Sequence, residues 1–169
     1  FNAVHAPLQA PPQYLAMYPD LKGNRRTYAA MLTAMDDAVG RIVKAVDDSG
    51  QRGNTLFVFT SDNGGPNPGR ITDNGKYRAG KGTLYEGGTR EPCIVIWPGK
   101  TKPGTSSDGL FQSVDWYPTL LAMCGRMPRA DLKLVGLDQT SLLLGEGAVR
   151  DRVFCHFPHG SQNQAATIP

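Results

Sequence analysis

Apolar residues recur at three- and four-residue steps from Tyr28 through Met31, Leu32, Met35, Val39, Ile42 and Val43 to Val46. That spacing predicts an amphipathic helix over 27–48. Gly50 and Gly53 follow, where glycine commonly ends a helix. The pattern then changes to short unbroken apolar runs. "TLFVFT" (55–60) has no polar face and predicts a buried, central strand. "CIVIW" (93–97) predicts a second one, closed by Pro98-Gly99. A helix is expected from Trp116 to Cys124, capped by Asp115, with Pro118 tolerated in its first turn and Gly125 at its end. "TSLLLG" reads as a short helical turn and "RVFCHF" (152–157) as a third strand. Helices alternating with short apolar strands argue for an α/β layer structure, with a largely parallel sheet and the 27–48 helix on one face.

Composition sets the bounds. The chain has 169 residues, the length of one domain, and 40% of them are hydrophobic, enough for a core. The net charge of +3 is too weak to argue for nucleic acid. Its distribution says more. Arg70, Lys76, Arg78, Lys81 and Arg90 against Asp73 and Glu86 make the 70–90 window net +3 by itself. Such a cluster attracts anions, or is a solvated basic loop. No apolar run approaches the ~18 residues that span a membrane. Cys93, Cys124 and Cys155 each sit in an apolar run, as buried free thiols do, and their odd number forms no disulfide framework. The chain opens at Phe1 and closes on "AATIP", which reads as an internal segment of something longer.

Candidate chemistry begins where the first strand ends. "TSDNGG" (60–65) is either a hairpin turn or a ligand site. A hairpin needs a returning strand, and "GPNPGRITDNGK" has two prolines and no alternation. In open α/β sheets, ligands sit beyond the carboxyl ends of strands. Asp62 and Asn63 hold that position, with hard oxygens suited to Ca²⁺ or Mg²⁺. The same tripeptide at Asp73-Asn74-Gly75 lacks a preceding strand and reads only as a turn. In "GKGTLYEGGTR" (80–90), Lys81 stands among glycines that let backbone approach a ligand, although P-loop spacing is missing. The 61–92 stretch holds eight of the chain's 20 glycines. His5 follows a possible strand in "NAVHAPL"; a lone histidine is more often structural. His156 and His159 form an H-x-x-H pair, but Pro158 between them argues against helical zinc ligation.

Three stretches together resemble the formylglycine-dependent sulfatases of the alkaline phosphatase superfamily: "AVHAPLQAPPQYL", "MDDAVGRIVKAVDDSGQRGNTLFVFTSDNGG" and "GKGTLYEGGTREPCIVIWPG". "SVDWYPTLLAMCG" and "GLDQTSLLLG" continue in the same order, so the resemblance runs from Phe1 to about His159. It implies an alkaline-phosphatase-like α/β/α sandwich, present in part. It implies Asp62 and Asn63 as ligands of a divalent cation, usually Ca²⁺ with Mg²⁺ possible. It implies Lys81 on the sulfate, His5 beside the scissile ester oxygen, and Arg90 as a supporting residue. The family's nucleophile, a cysteine in a C-x-P-S-R or C-x-A-x-R context that is oxidised to formylglycine, matches none of Cys93, Cys124 or Cys155.

The family's first aspartate pair is missing too. The expectation is therefore one sulfatase catalytic domain in part, 1–169, without its nucleophile region or its smaller C-terminal subdomain, and inert alone. The substrate would be a sulfated small molecule or a sulfated glycan, with no nucleic-acid or membrane partner, and family resemblance implies an extracytoplasmic location. Two alternatives stand beside it: a phosphate mono- or diester hydrolase of the same superfamily, and a non-enzymatic polyanion-binding module.

Overall fold

The computed structural model describes residues 1–66, 68–159 and 162–168, with side chains through residue 155; the side chains of His156 and His159 lie outside that set. The elements in chain order are α1 (Pro12–Ala16), α2 (Gly23–Asp48), β1 (Phe57–Thr60), α3 (Glu86–Thr89), β2 (Cys93–Ile96), α4 (Trp116–Met123), α5 (Thr140–Leu144), β3 (Val153–His159) and β4 (Gln162–Ile168). They divide into two compact units, residues 1–55 with 60–92, and residues 56–59 with 93 onward.

In the first unit α2 is the long element. It starts four residues before the predicted Thr27, because its first turn is Gly-Asn-Arg-Arg and carries no apolar period to read. Its apolar stripe buries Ala30 and Met31. Arg26 in that first turn donates from Nε and Nη2 to the Leu15 carbonyl at 3.1 and 3.0 Å, satisfying an acceptor at the end of α1. Arg25 reaches the other way and donates to the Ile71 carbonyl at 2.6 Å, anchoring the long loop. The helix ends as the glycine predicts: Gly50 has φ +72° and its N–H donates to the Asp47 carbonyl at 2.9 Å.

In the second unit β1 pairs with β2. The strands lie where the apolar runs place them, but their burial differs from expectation. Val58 is 40% exposed and Ile94 56%. Two strands cannot cover both of their own faces, and a sheet gains independent stability only from further strands or a packed helix. β3 and β4 form an antiparallel hairpin in register Val153↔Ile168 through His159↔Gln162. The three thiols also depart from expectation. Cys93 and Cys124 are exposed and Cys155 is half-buried, so none is a core thiol in this chain.

The second unit is organised by a buried polar group. Asp115 does not cap α4 through its side chain. It is fully buried, and its carboxylate accepts from the Leu137 N–H (2.8 Å), the Gln112 N–H (2.9 Å), Gln139 Nε2 (3.3 Å), and Arg150 Nη2 (2.5 Å) and Nε (2.9 Å). Arg150 is itself only 8% exposed at its side chain. Burial opposes the charge on Asp115, but Arg150 and the two backbone amides outweigh it and hold the carboxyl below its ordinary range. A lowered folded-state value means stability that is full above the ordinary carboxylate range and drains as pH falls through the lowered value. Replacing Arg150 by alanine leaves the buried carboxylate without its countercharge and is expected to cost about 3–5 kcal/mol. Urea melts of the two chains at neutral pH measure it. A loss below about 1 kcal/mol, the size of an exposed pair, would show that this network is not what holds the unit.

Candidate active site

The candidate residues fall in the first unit, Asp62, Asn63 and Lys81 on the loop from Thr60 to Pro92 and His5 near the chain's start. After β1 ends, the Ser61 N–H donates to the Pro92 carbonyl at 3.3 Å, and Ser61 Oγ donates to the Asn63 carbonyl at 2.9 Å. Among the described residues, no strand returns along β1 from this turn. The only non-glycine residue with positive φ among those described is Ala79, at +59°. Asn63 is thus outside the left-handed region that an Asn-Gly hairpin of type I′ demands. "TSDNGG" redirects the chain without folding it back.

The two glycines of that stretch serve a contact. A Cβ on Gly64 would stand 1.8 Å from the Gly87 carbonyl oxygen, and one on Gly80 would stand 2.2 Å from the Gly65 carbonyl oxygen. Only backbone without side chains approaches backbone this closely. The Lys81 N–H donates to the Gly65 carbonyl at 3.2 Å, and the Gly87 N–H to the Arg78 carbonyl at 2.9 Å. "TSDNGG" and "GKGTLYEGG" are therefore one locked assembly. It sets Asp62 and Asn63 three and two residues from the Gly65 carbonyl to which Lys81 is tied.

Asp62 and Lys81 are both exposed, and neither side chain has a hydrogen bond or ion pair among the described residues. The neighbouring cations are more engaged. Arg78 lies over the Tyr85 ring at 3.9 Å, and Arg90 lies over Tyr77 at 5.1 Å while pairing with Glu86 at 3.2 Å. That engagement agrees with a supporting part for Arg90, and it leaves Lys81 with an uncommitted ammonium. His5 is exposed and makes local bonds: its N–H donates to Asn2 O and its Nδ1 to Ala6 O, each at 2.8 Å. Among the described residues no hydrogen bond joins His5 to Asp62, Asn63 or Lys81.

Two residues escaped the sequence reading. Glu91 has a buried Oε1 with no hydrogen-bond partner among the described residues, and its carboxyl pKa is raised by desolvation and by the charge of Asp62. Its only sequence signal is an acid wedged between Arg90 and Pro92, directly before an apolar strand. The other is Asn74, which reads only as a turn residue. It is a turn residue: the Gly75 N–H donates to Asp73 Oδ1 at 2.8 Å, with Gly75 at φ +59°. Its carboxamide, however, reaches across the loop to Gly65 and Ala79.

These features test the fit of a cation. Two acidic side chains influence one another, one of them keeps an orphaned buried oxygen, and the Asn63 carboxamide follows Asp62 in the chain. A buried acceptor without a partner calls for a proton or a metal ion. All three groups offer hard oxygen, the donor type Ca²⁺ and Mg²⁺ take. The donor chemistry suits such an ion, although no group of three or more His, Cys, Asp and Glu among the described residues could hold one. A thiol nucleophile is not indicated: desolvation raises the Cys93 and Cys155 pKa values, the reverse of activation.

The chain belongs to the sulfatase family, whose model matches residues 1–125. Its frame is the alkaline-phosphatase-like α/β fold of the sulfatases, present in part. Human arylsulfatase A is 41% identical over 129 residues, covering 75% of this chain and 25% of the relative. Mouse N-acetylgalactosamine-6-sulfatase is 36% identical over 172 residues, covering 99% of this chain and 31% of the relative. Among solved structures, Ps i-CgsB in complex with k-i-k-neocarrahexaose superposes with a TM-score of 0.91 at 33% identity, over 98% of this chain and 37% of that one. The PsFucS1 sulfatase from Pseudoalteromonas sp. gives 0.77 at 33% identity, over 91% and 31%. The chain thus spans between 25% and 37% of the length of these relatives. With the curated relatives and PsFucS1 named as sulfatases, the phosphate-ester and polyanion-module alternatives are not favoured. No helix of the described residues is long and apolar enough to cross a membrane.

Proposed function

We propose that these 169 residues are the charge-stabilising half of a sulfuric ester hydrolase centre, which outside this chain has a formylglycine nucleophile and a second pair of metal-binding aspartates. The observation that carries this reading is the junction at Gly65, which ties the strand-end pair Asp62-Asn63 to the loop bearing Lys81. A sulfate ester is a stable anion. Its hydrolysis needs positive charge to neutralise the non-bridging oxygens, an attacking group, and a proton for the leaving oxygen. Asp62 and Asn63 would hold a divalent cation, Ca²⁺ before Mg²⁺, which when bound draws negative charge from the sulfate oxygens. Lys81 places a second positive charge on those oxygens, and this interaction strengthens as charge builds in the transition state. His5 would serve the leaving oxygen. Its Nδ1–H is committed to the Ala6 carbonyl, which orients the ring and leaves Nε2 for the substrate.

The relatives named for N-acetylgalactosamine 6-sulfate and crystallised with a neocarrahexaose support a sulfated glycan as substrate; a small aryl sulfate is the simpler probe. The family points to an extracytoplasmic location. The test is turnover of a chromogenic aryl sulfate by two proteins. The complete enzyme is expected to hydrolyse it, and the 169-residue chain is expected to give none. Clear turnover by the short chain, or none by the complete enzyme across aryl and glycan sulfates, overturns the reading.

A further inference from the structure

We infer that Asn74 is a positioning residue for sulfate-ester cleavage: its carboxamide sets the separation between the Asp62-Asn63 turn and Lys81. The inference rests on the sulfatase reading above. The turn at 73–75 is closed by Asp73 and Gly75, so it makes no demand on the Asn74 side chain. That side chain is spent across the loop instead. Its Oδ1 accepts from the Gly65 N–H at 3.2 Å, and its Nδ2 donates to the Gly65 carbonyl at 3.3 Å and to the Ala79 carbonyl at 2.7 Å. One carboxamide thereby grips both backbone groups of a single residue, as a neighbouring strand would. The Gly65 carbonyl it grips is the one that accepts from the Lys81 N–H at 3.2 Å. The Ala79 carbonyl it grips belongs to the one non-glycine residue described with positive φ, two residues before Lys81. Alanine in that conformation is disfavoured and persists only where its surroundings determine it.

The packing leaves the carboxamide little room to shift. A Cβ on Gly65 would lie 2.8 Å from Asn74 Oδ1, and one on Gly80 would lie 2.8 Å from Asn74 Nδ2. Lys81 has a long flexible arm with no described partner, so the place of its ammonium depends on where its backbone is held. The three bonds of Asn74 hold that backbone against the turn that carries Asp62. An aspartate here would keep the shape, lose both donors, and face two carbonyl oxygens with negative charge.

The test is Asn74→Asp in the complete enzyme, alone and combined with Lys81→Ala. Misplacing a reacting group by about 1 Å costs on the order of 10²-fold, so kcat on an aryl sulfate is expected to fall by that factor. In the Lys81→Ala background the same substitution is expected to cost less than about threefold, since residues acting through one contact are non-additive. A general loss of structure would cost equally in both backgrounds. Amide hydrogen exchange on the complete enzyme supplies the second measurement: protection of the Lys81 N–H is lost in Asn74→Asp while the amides of α2 keep theirs. Wild-type rates in Asn74→Asp, equal losses in both backgrounds, or a Lys81 amide still protected each overturn the role of Asn74 while the sulfatase reading stands. A wild-type complete enzyme without sulfatase turnover overturns that reading, and this role with it.

Discussion

Replacing Asp62 by alanine is expected to abolish sulfate-ester turnover in the complete enzyme, with a loss of at least ~10³-fold in kcat/KM. The figure follows from the charge involved. A metal ion that polarises the reacting group contributes several kcal/mol, and each 1.36 kcal/mol is about tenfold in rate. Asp62 is the one charged member of the strand-end pair, and it has no hydrogen bond or ion pair among the described residues to hold it for another purpose. Its removal should therefore leave the fold almost untouched. An exposed side chain without such bonds changes stability by no more than about 0.5 kcal/mol. The measurement is kcat/KM with added Ca²⁺, beside a thermal melt of each variant. Retained turnover at an unchanged melting temperature would remove Asp62 from the site. Asp62→Asn keeps the shape without the charge, and is expected to behave like alanine.

Lys81→Ala is expected to lower kcat by about 10²–10³-fold, the usual cost of deleting one preorganised group that stabilises transition-state charge. The backbone of Lys81 is fixed by its bond to Gly65, so the substitution deletes the ammonium and spares the loop. The neighbouring arginines cannot take over. Arg78 stacks on Tyr85, and Arg90 is held by Glu86 and Tyr77. Lys81→Arg is expected to recover little, because a planar guanidinium does not reproduce a compact ammonium on this loop. A loss confined to KM, with kcat unchanged, would make Lys81 a ground-state contact only.

Much of the frame could be read directly. The helix over 27–48 declares itself through Met31 and its apolar neighbours, and only its first turn, polar and uncapped, stays invisible. β1 and β2 are bounded by polar and glycine-rich residues and lie where the runs predict. β4 could not be read: "QNQAATI" has little strand propensity and is a strand through its pairing with β3. Strand burial was overestimated because an apolar run reports what a residue is suited to, not what covers it. In a chain spanning about a quarter to a third of its relatives, the faces of β1 and β2 stay open.

The candidate site divides the same way. Asp62, Asn63 and Lys81 stand in local contexts that carry meaning: a strand end and a glycine loop. Asn74 and Glu91 act through contacts with residues far along the chain, Asn74 on a backbone group nine residues away and Glu91 through the charge of Asp62. Asp115 and Arg150 are 35 residues apart. No spacing rule connects such pairs, because the fold alone brings them together.

The central claim is that Asp62 and Asn63 hold a divalent cation beside the sulfate that Lys81 contacts. A crystal structure of the complete enzyme with Ca²⁺ and inorganic sulfate tests it most directly. The account predicts a cation at about 2.3–2.6 Å from the side-chain oxygens of Asp62 and Asn63, and a sulfate oxygen within hydrogen-bond reach of Lys81 Nζ. A cation bound elsewhere, or a sulfate that Lys81 does not touch, would contradict it.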